Sequence, residues 1–206
     1  MNELEFRSLN DLTVNKEDEN LIIEGVVNNI GEFSKIIGGT FREKINKGVF
    51  TRAIEKAKEN SDIFFLHQHD AKALPLASVN SGTLELTEVE GVLKMRAVLP
   101  DTSFSRDIYT LVEAKVLNEF SFGFSNPKST WEIGKDGVRE RTIEDLDLSE
   151  ISIVRIGAYN NTTAYARALE EAEKIINEDE ETRALEEELK IKEYNCRLEL
   201  LKKRVN

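Results

Sequence analysis

The chain has 206 residues, 40% of them apolar, enough for one ordinary core or a core with an extended appendage. Its formal charge of -11 argues against nucleic acid as the main partner, because a phosphate-tracking surface needs clustered Lys and Arg. A single cysteine, Cys196, excludes an internal disulfide framework and a multi-cysteine zinc site. With no basic segment leading into an apolar one at the N-terminus, and no run of about 18 apolar residues, the chain reads as cytoplasmic, soluble and free of membrane contact.

Residues 1–18 read as a polar leader. NLIIEGVVN, from Asn20, has the pattern of a strand, and the fold is expected to start there. Gly38-Gly39 interrupts the next stretch, and after Gly48 the run VFTRAIEKAKEN places Phe50, Ile54 and Ala57 on one helical face. DIFFLHQHD is a buried strand running into a polar turn. GTLELTEV and VLKMRAVL alternate on either side of Glu90-Gly91 and predict a hairpin. SRDIYTLVEAKVL, with Ser105 as its N-cap, carries Ile108, Leu111, Val112 and Val116 at helical spacing and leads into NEFSFGFSNP. STWEIG and VRERTIEDLDL flank a tight-turn signal at Lys135-Asp136-Gly137, and EISIVRI closes the set as another strand.

Several strands at short spacing with two or three short helices predict an α+β domain over residues 19–166. Its expected core is mainly antiparallel β and barrel-like, with a few flanking helices. From Arg167 to Asn206 there is no Gly or Pro, and Glu, Leu, Lys and Arg predominate, which predicts a charged helical tail. Ala184, Ile191, Tyr194, Leu198, Leu201 and Val205 form a heptad-like seam broken by Glu187. A solvated helix docking on a partner suits that pattern better than a coiled coil, which needs more clean heptads.

Both histidines of the chain, His67 and His69, stand in FFLHQHDAKALPLA. At the strand period of two, both imidazoles point to one face and Asp70 to the other. The H-x-H-D run resembles the first ligand cluster of zinc hydrolases, but there is no other histidine and the cysteine lies in the tail, so no metal is expected. One histidine acting as general base is a second reading; a pair that merely bonds the following turn is its structural counterpart. In EFSFGFS, Phe120, Phe122 and Phe124 project to one face and fill a core, while Ser121, Gly123 and Ser125 project to the other. That second face is cleared of bulk and is expected to present the Ser121 hydroxyl in an open groove, although small residues also serve to admit a packed helix. The G-x-S-x-G elbow of α/β-hydrolases is absent.

Taken in order, GGTFREKINKGVF, FLHQHDAKALPLASVNSGTLEL, DTSFSRDIYTLVEAKVLNEFSFGFS and LSEISIVRIGAYNNT resemble the tailed-phage prohead (capsid maturation) serine protease family, related to herpesvirus assemblin. The resemblance runs from about Leu21 to Thr163. The family's L-x-N-H-D motif falls on Leu66 to Asp70, with Gln68 in place of Asn, His69 as the functional histidine and His67 as the spare. Its M-S-x-G-F motif falls on Phe120 to Phe124, with Phe120 in place of Met. Its E-[VI]-S-[LIV]-V motif falls on Glu150 to Val154, while Gly157-Ala158 stands where the family carries Pro-Ala.

The resemblance implies an assemblin-like fold, with Ser121 as nucleophile, His69 as base and Glu150 as the group that orients the imidazole. Asp147 and Asp70 are the competing third members. Peptide hydrolysis through an acyl-enzyme follows, with backbone N–H groups, Arg155 or Arg106 as oxyanion stabilisers and no cofactor. The implied substrates are scaffold, or the scaffolding segment of the major capsid protein, and the enzyme itself, inside proheads assembling in the host cytoplasm. A homo-oligomer is compatible with this, and the tail would direct packaging or be removed on maturation. Two other classes remain open: a non-catalytic capsid scaffold or assembly protein that retains the fold, and a metal-dependent hydrolase centred on His67 and His69.

Overall fold

The computed structural model describes residues 5–9, 12–17 and 20–155. In chain order the elements are β1 (Glu5–Leu9), β2 (Leu12–Glu17), β3 (Asn20–Asn29), β4 (Phe41–Ile45), α1 (Val49–Asn60), β5 (Phe64–His67), β6 (Ala77–Ser78), β7 (Leu84–Val89), β8 (Val92–Leu99), α2 (Ser103–Glu113), β9 (Glu119–Ile133) and β10 (Arg139–Val154). The charged tail read at residues 167–206, its apolar seam included, lies outside the described residues.

Two sheets result, β1-β9-β10-β5-β6 with β4 also paired to β10, and β2-β3-β8-β7. Most pairings are antiparallel, as the alternating segments predict. The expected barrel-like closure is not present: among the described residues the sheets stay separate and share one apolar core. That core takes Ile23 and Val27 from β3, Leu93, Met95 and Leu99 from β8, Phe65 from β5, the three phenylalanines of β9, and Ile151 and Ile153 from β10. Two strands, β4 and β5, run parallel to β10 along the same side of it, at Arg139–Ile143 and at Glu150–Ile153. Parallel neighbours need a crossover, and α1 supplies it between β4 and β5.

The helices form for the reasons their patterns suggest. On α1, Val49, Phe50, Ala53, Ile54 and Ala57 are buried, and the Phe50 ring meets Phe122 edge to face at 5.4 Å. Its N-cap, Gly48, has no side chain to offer. The Glu88 carboxylate of β7 instead accepts from the Gly48 N–H and, at 3.0 Å, from the Thr51 N–H, meeting the positive end of the helix with negative charge. On α2 the N-cap is Thr102, not Ser105: the Thr102 Oγ1 accepts the Ser105 N–H at 3.0 Å. The helix therefore starts earlier than its apolar spacing indicated and ends at Glu113, just before Lys115 with a φ of 58°. Ile108 and Val112 are buried as expected, but Leu111 is 37% exposed and Val116, beyond the helix end, 50%.

Two further differences come from pairing. The segments read as separate strands on either side of Pro127 and of Ser149 are single long strands, β9 and β10, of 15 and 16 residues. Their interruptions are absorbed as bulges, with Asn126 at a φ of 50° and register shifts between Ile143 and Asp145, Asp145 and Asp147, and Leu148 and Glu150. The residues before Asn20, read as a leader, supply β1 along β9 and β2 along β3. Both are short and weakly patterned, so the exposed edges they cover, not their own periodicity, define them.

A buried charge cluster anchors β1. Arg141 of β10, with no exposed side-chain surface, donates to Glu5 at 2.7 and 3.3 Å, to Ser129 Oγ at 2.9 Å and to Glu43 at 3.4 Å. Arg7 donates to Glu43 Oε2 at 2.8 Å and to Glu5 at 3.1 Å. Burial alone would raise the Glu43 carboxyl, but the charge and hydrogen bonds of Arg7, then of Arg141, outweigh it and hold the carboxyl below its usual range. No helix among the described residues is long and apolar enough to cross a membrane.

Candidate active site

The site is built on the face of β9 and β10 that turns away from the phenylalanines. Phe120, Phe122 and Phe124 are fully buried in the core, as their alternation predicts. In the antiparallel register they lie opposite Ile153, Ile151 and Leu148, whereas Ser121 lies opposite Ser152 and Gly123 opposite Glu150. Residues directly opposite share a face, so Ser121, Ser152, Gly123 and Glu150 lie together on the second one. Strict alternation from Leu146 and Leu148 would send Glu150 into the core. The extra residue at Ser149 moves the following residues over by one face and delivers the carboxylate to the side of Ser121.

His69 reaches the same face by a different device. Strand β5 ends at His67, and Gln68 and His69 both take positive φ, 53° and 60°. Each such residue costs on the order of 1–3 kcal/mol and breaks the strand's alternation. The two imidazoles therefore part, contrary to the period-two expectation. The His67 ring stands edge-on to Phe104 with centroids 6.4 Å apart, and its burial pushes the imidazole below its usual value against the opposing effect of the Asp70 charge. The His69 ring turns to β10, where Nδ1 hydrogen-bonds Glu150 Oε1. The side chains of His69 and Glu150 are 15% and 4% accessible.

The turn itself is tied to β10 by the Gln68 N–H donating to the Ile153 carbonyl at 3.0 Å and the His69 N–H donating to Ser152 Oγ at 3.2 Å. The competing carboxylates are engaged elsewhere. Asp70 accepts from the Lys72 N–H at 2.9 Å, and Asp147 pairs with Lys56 and accepts from Asn126 Nδ2 at 2.7 Å. Those partners hold the Asp147 carboxyl below its usual range, although burial opposes them.

Ser121 is fully buried, and its Oγ makes no hydrogen bond. The open groove expected from the small residues is thus not present; Ser125 on the same face is only 8% exposed. Of the arginines considered for an oxyanion, Arg106 pairs with Asp101 on the exposed start of α2, and Arg155 is exposed just past β10. Among the described residues no three His, Cys, Asp or Glu side chains gather as metal ligands. Two features carried no assignment in the sequence: Ser152 and the cluster of Glu5, Arg7, Glu43 and Arg141. The first was legible in E-I-S-I-V, since period two puts its hydroxyl on the face of Glu150; the second depends on three separate strands.

A sequence model of a family described as caudovirus prohead serine protease matches residues 8–175. No curated protein sequence matches the chain. Among solved structures, it is similar to the bacteriophage T4 capsid assembly protease, with 11% identity and a TM-score of 0.49, covering 74% of this chain and 96% of that one.

Proposed function

The chain belongs to the caudovirus prohead serine protease family, and from that premise we propose that it is a serine endopeptidase of capsid maturation in which Ser121, His69 and Glu150 carry the reaction. The observation that carries this reading is the His69–Glu150 pair on the face of Ser121. With Nδ1 held by a carboxylate, the imidazole has a fixed orientation and tautomer, and Nε2 is the nitrogen that exchanges a proton with a serine. His69 takes the Ser121 proton as the oxygen attacks the scissile carbonyl, and the imidazolium, stabilised by Glu150, then protonates the leaving amine. Water repeats the cycle on the acyl-enzyme. Catalytic hydrogen bonds commonly tighten only once substrate is bound, so the missing Ser121 bond is compatible with this chemistry.

The substrates in this reading are scaffold, or the scaffolding segment of the major capsid protein, and the enzyme itself, within the assembling prohead. The charged residues 167–206 direct packaging of the enzyme or leave on maturation. The test is co-expression with the cognate capsid protein, comparing the native chain and Ser121→Ala by intact mass. Truncated capsid protein should appear only with the native chain, and equal truncation with both would refute the assignment. One observation favours a second reading, a non-catalytic assembly protein that retains the fold: the complete burial of Ser121. In that case neither chain yields truncated product.

A further inference from the structure

We propose that Ser152 is a positioning residue of this site, one hydroxyl that locks the backbone of the base and the carboxylate that orients it into a single frame. The inference rests on the serine protease reading above and adds a residue to it. Ser152 occupies the middle of the assembly: on β10 it lies opposite Ser121 of β9 on one side and opposite Leu66 of β5 on the other. It therefore sits between the strand of the nucleophile and the strand that ends in the histidine.

Its Oγ accepts the His69 N–H at 3.2 Å and donates, at a long 3.4 Å, to the same Glu150 Oε1 that meets the His69 imidazole. Three groups thus close a ring: His69 backbone to Ser152 hydroxyl, hydroxyl to Glu150 carboxylate, and carboxylate back to the His69 side chain. The ring matters because of where His69 is. It follows Gln68 in the left-handed region, so its N–H has left the β5 ladder, which ends with His67 opposite Ile153. Ser152 Oγ meets that N–H where the ladder no longer can. A buried serine otherwise pays desolvation for its hydroxyl, and packing between Ile151 and Ile153 alone would be met as well by alanine.

A shift of the base by a fraction of an ångström affects the chemical step far more than substrate binding, so the role separates kcat from KM. The probe is an internally quenched peptide spanning the junction cut in the co-expression experiment, used with the full chain. Ser152→Ala should lower kcat roughly 10- to 100-fold and leave KM within about threefold, a pattern of lost transition-state stabilisation. Ser152→Thr, which keeps the hydroxyl, should recover kcat to within about fivefold of the native chain. The downfield proton resonance of the His69 Nδ1–H should move in Ser152→Ala and return in Ser152→Thr.

Native kcat in Ser152→Ala alongside an inactive Ser121→Ala overturns the positioning role and leaves the protease reading intact. A loss in Ser152→Ala that Ser152→Thr does not recover, with the resonance unmoved, assigns Ser152 to packing and also overturns it. Undiminished cleavage by Ser121→Ala refutes Ser121 as the nucleophile, and if Ser152→Ala is then the inactive chain, Ser152 is the nucleophile and not its support, which overturns the positioning role. Should Ser152→Ala fail to fold, Ser152→Cys decides by the same criteria, since it preserves the volume and weakens both hydrogen bonds.

Discussion

His67 and His69 are two residues apart and chemically identical, yet they occupy different surroundings. The first packs its ring edge against Phe104, and the second gives Nδ1 to Glu150. Their separation is produced by the positive φ at Gln68 and His69, neither of which is a glycine or asparagine that would have advertised it. The H-x-H-D run accordingly announces that a histidine matters without saying which. His69→Asn should abolish cleavage of the capsid protein, leaving less than about one part in 10³ of the native rate, whereas His67→Asn should stay within about threefold of it. Initial rates on the same substrate decide, and equal losses in both would put the base at neither position alone.

Among elements, β10 does the most to assemble the site. It pairs with β9, β4 and β5, and its bulge at Ser149 sets which face Glu150 occupies. That bulge separates two stretches that each read as an ordinary strand, so the sequence displays both halves and hides their junction. Helix α2 shows the same limit at smaller size. Its apolar spacing was legible, but its start depends on the Thr102 side chain meeting the Ser105 N–H, and a threonine three residues upstream was overlooked in favour of the serine. Loss of this cap should be visible without any change in chemistry. Thr102→Ala is expected to lower the unfolding free energy by about 1 kcal/mol, measured by urea titration, with the rate of peptide cleavage unaltered.

At the scale of the whole molecule, Glu5, Arg7, Glu43, Ser129 and Arg141 connect β1, β4, β9 and β10 through buried charge. Because the folded state holds the Glu43 carboxyl below its ordinary value of 4.5, the stabilisation from this carboxylate is fully present above that pH and is lost as pH falls through the lower folded value. The urea midpoint should therefore drop below about pH 4.5 in the native chain, and Glu43→Gln should flatten that part of the profile. The same substitution should cost about 3–5 kcal/mol at neutral pH, because the buried Arg141 and the partly buried Arg7 lose a counter-charge. An unchanged midpoint at neutral pH would show that the cluster is not stabilising.

By itself the sequence determined what rests on local signals. It placed α1 and the β7–β8 hairpin, whose turn residues Glu90 and Gly91 take the positive φ values of 52° and 81° that a tight two-residue turn requires. It also determined the buried phenylalanine face of β9 and the concentration of both histidines at one strand end. Only the tertiary structure decided that residues 5–9 and 12–17 join the sheets, that the sheets remain two instead of closing, that Ser121 is covered, and that His69 meets Glu150, 81 residues away. Periodicity and capping act over a few residues and can be read in a single pass. Strand register, a bulge that changes a face, and a charge buried among three strands depend on partners that only the folded chain brings together.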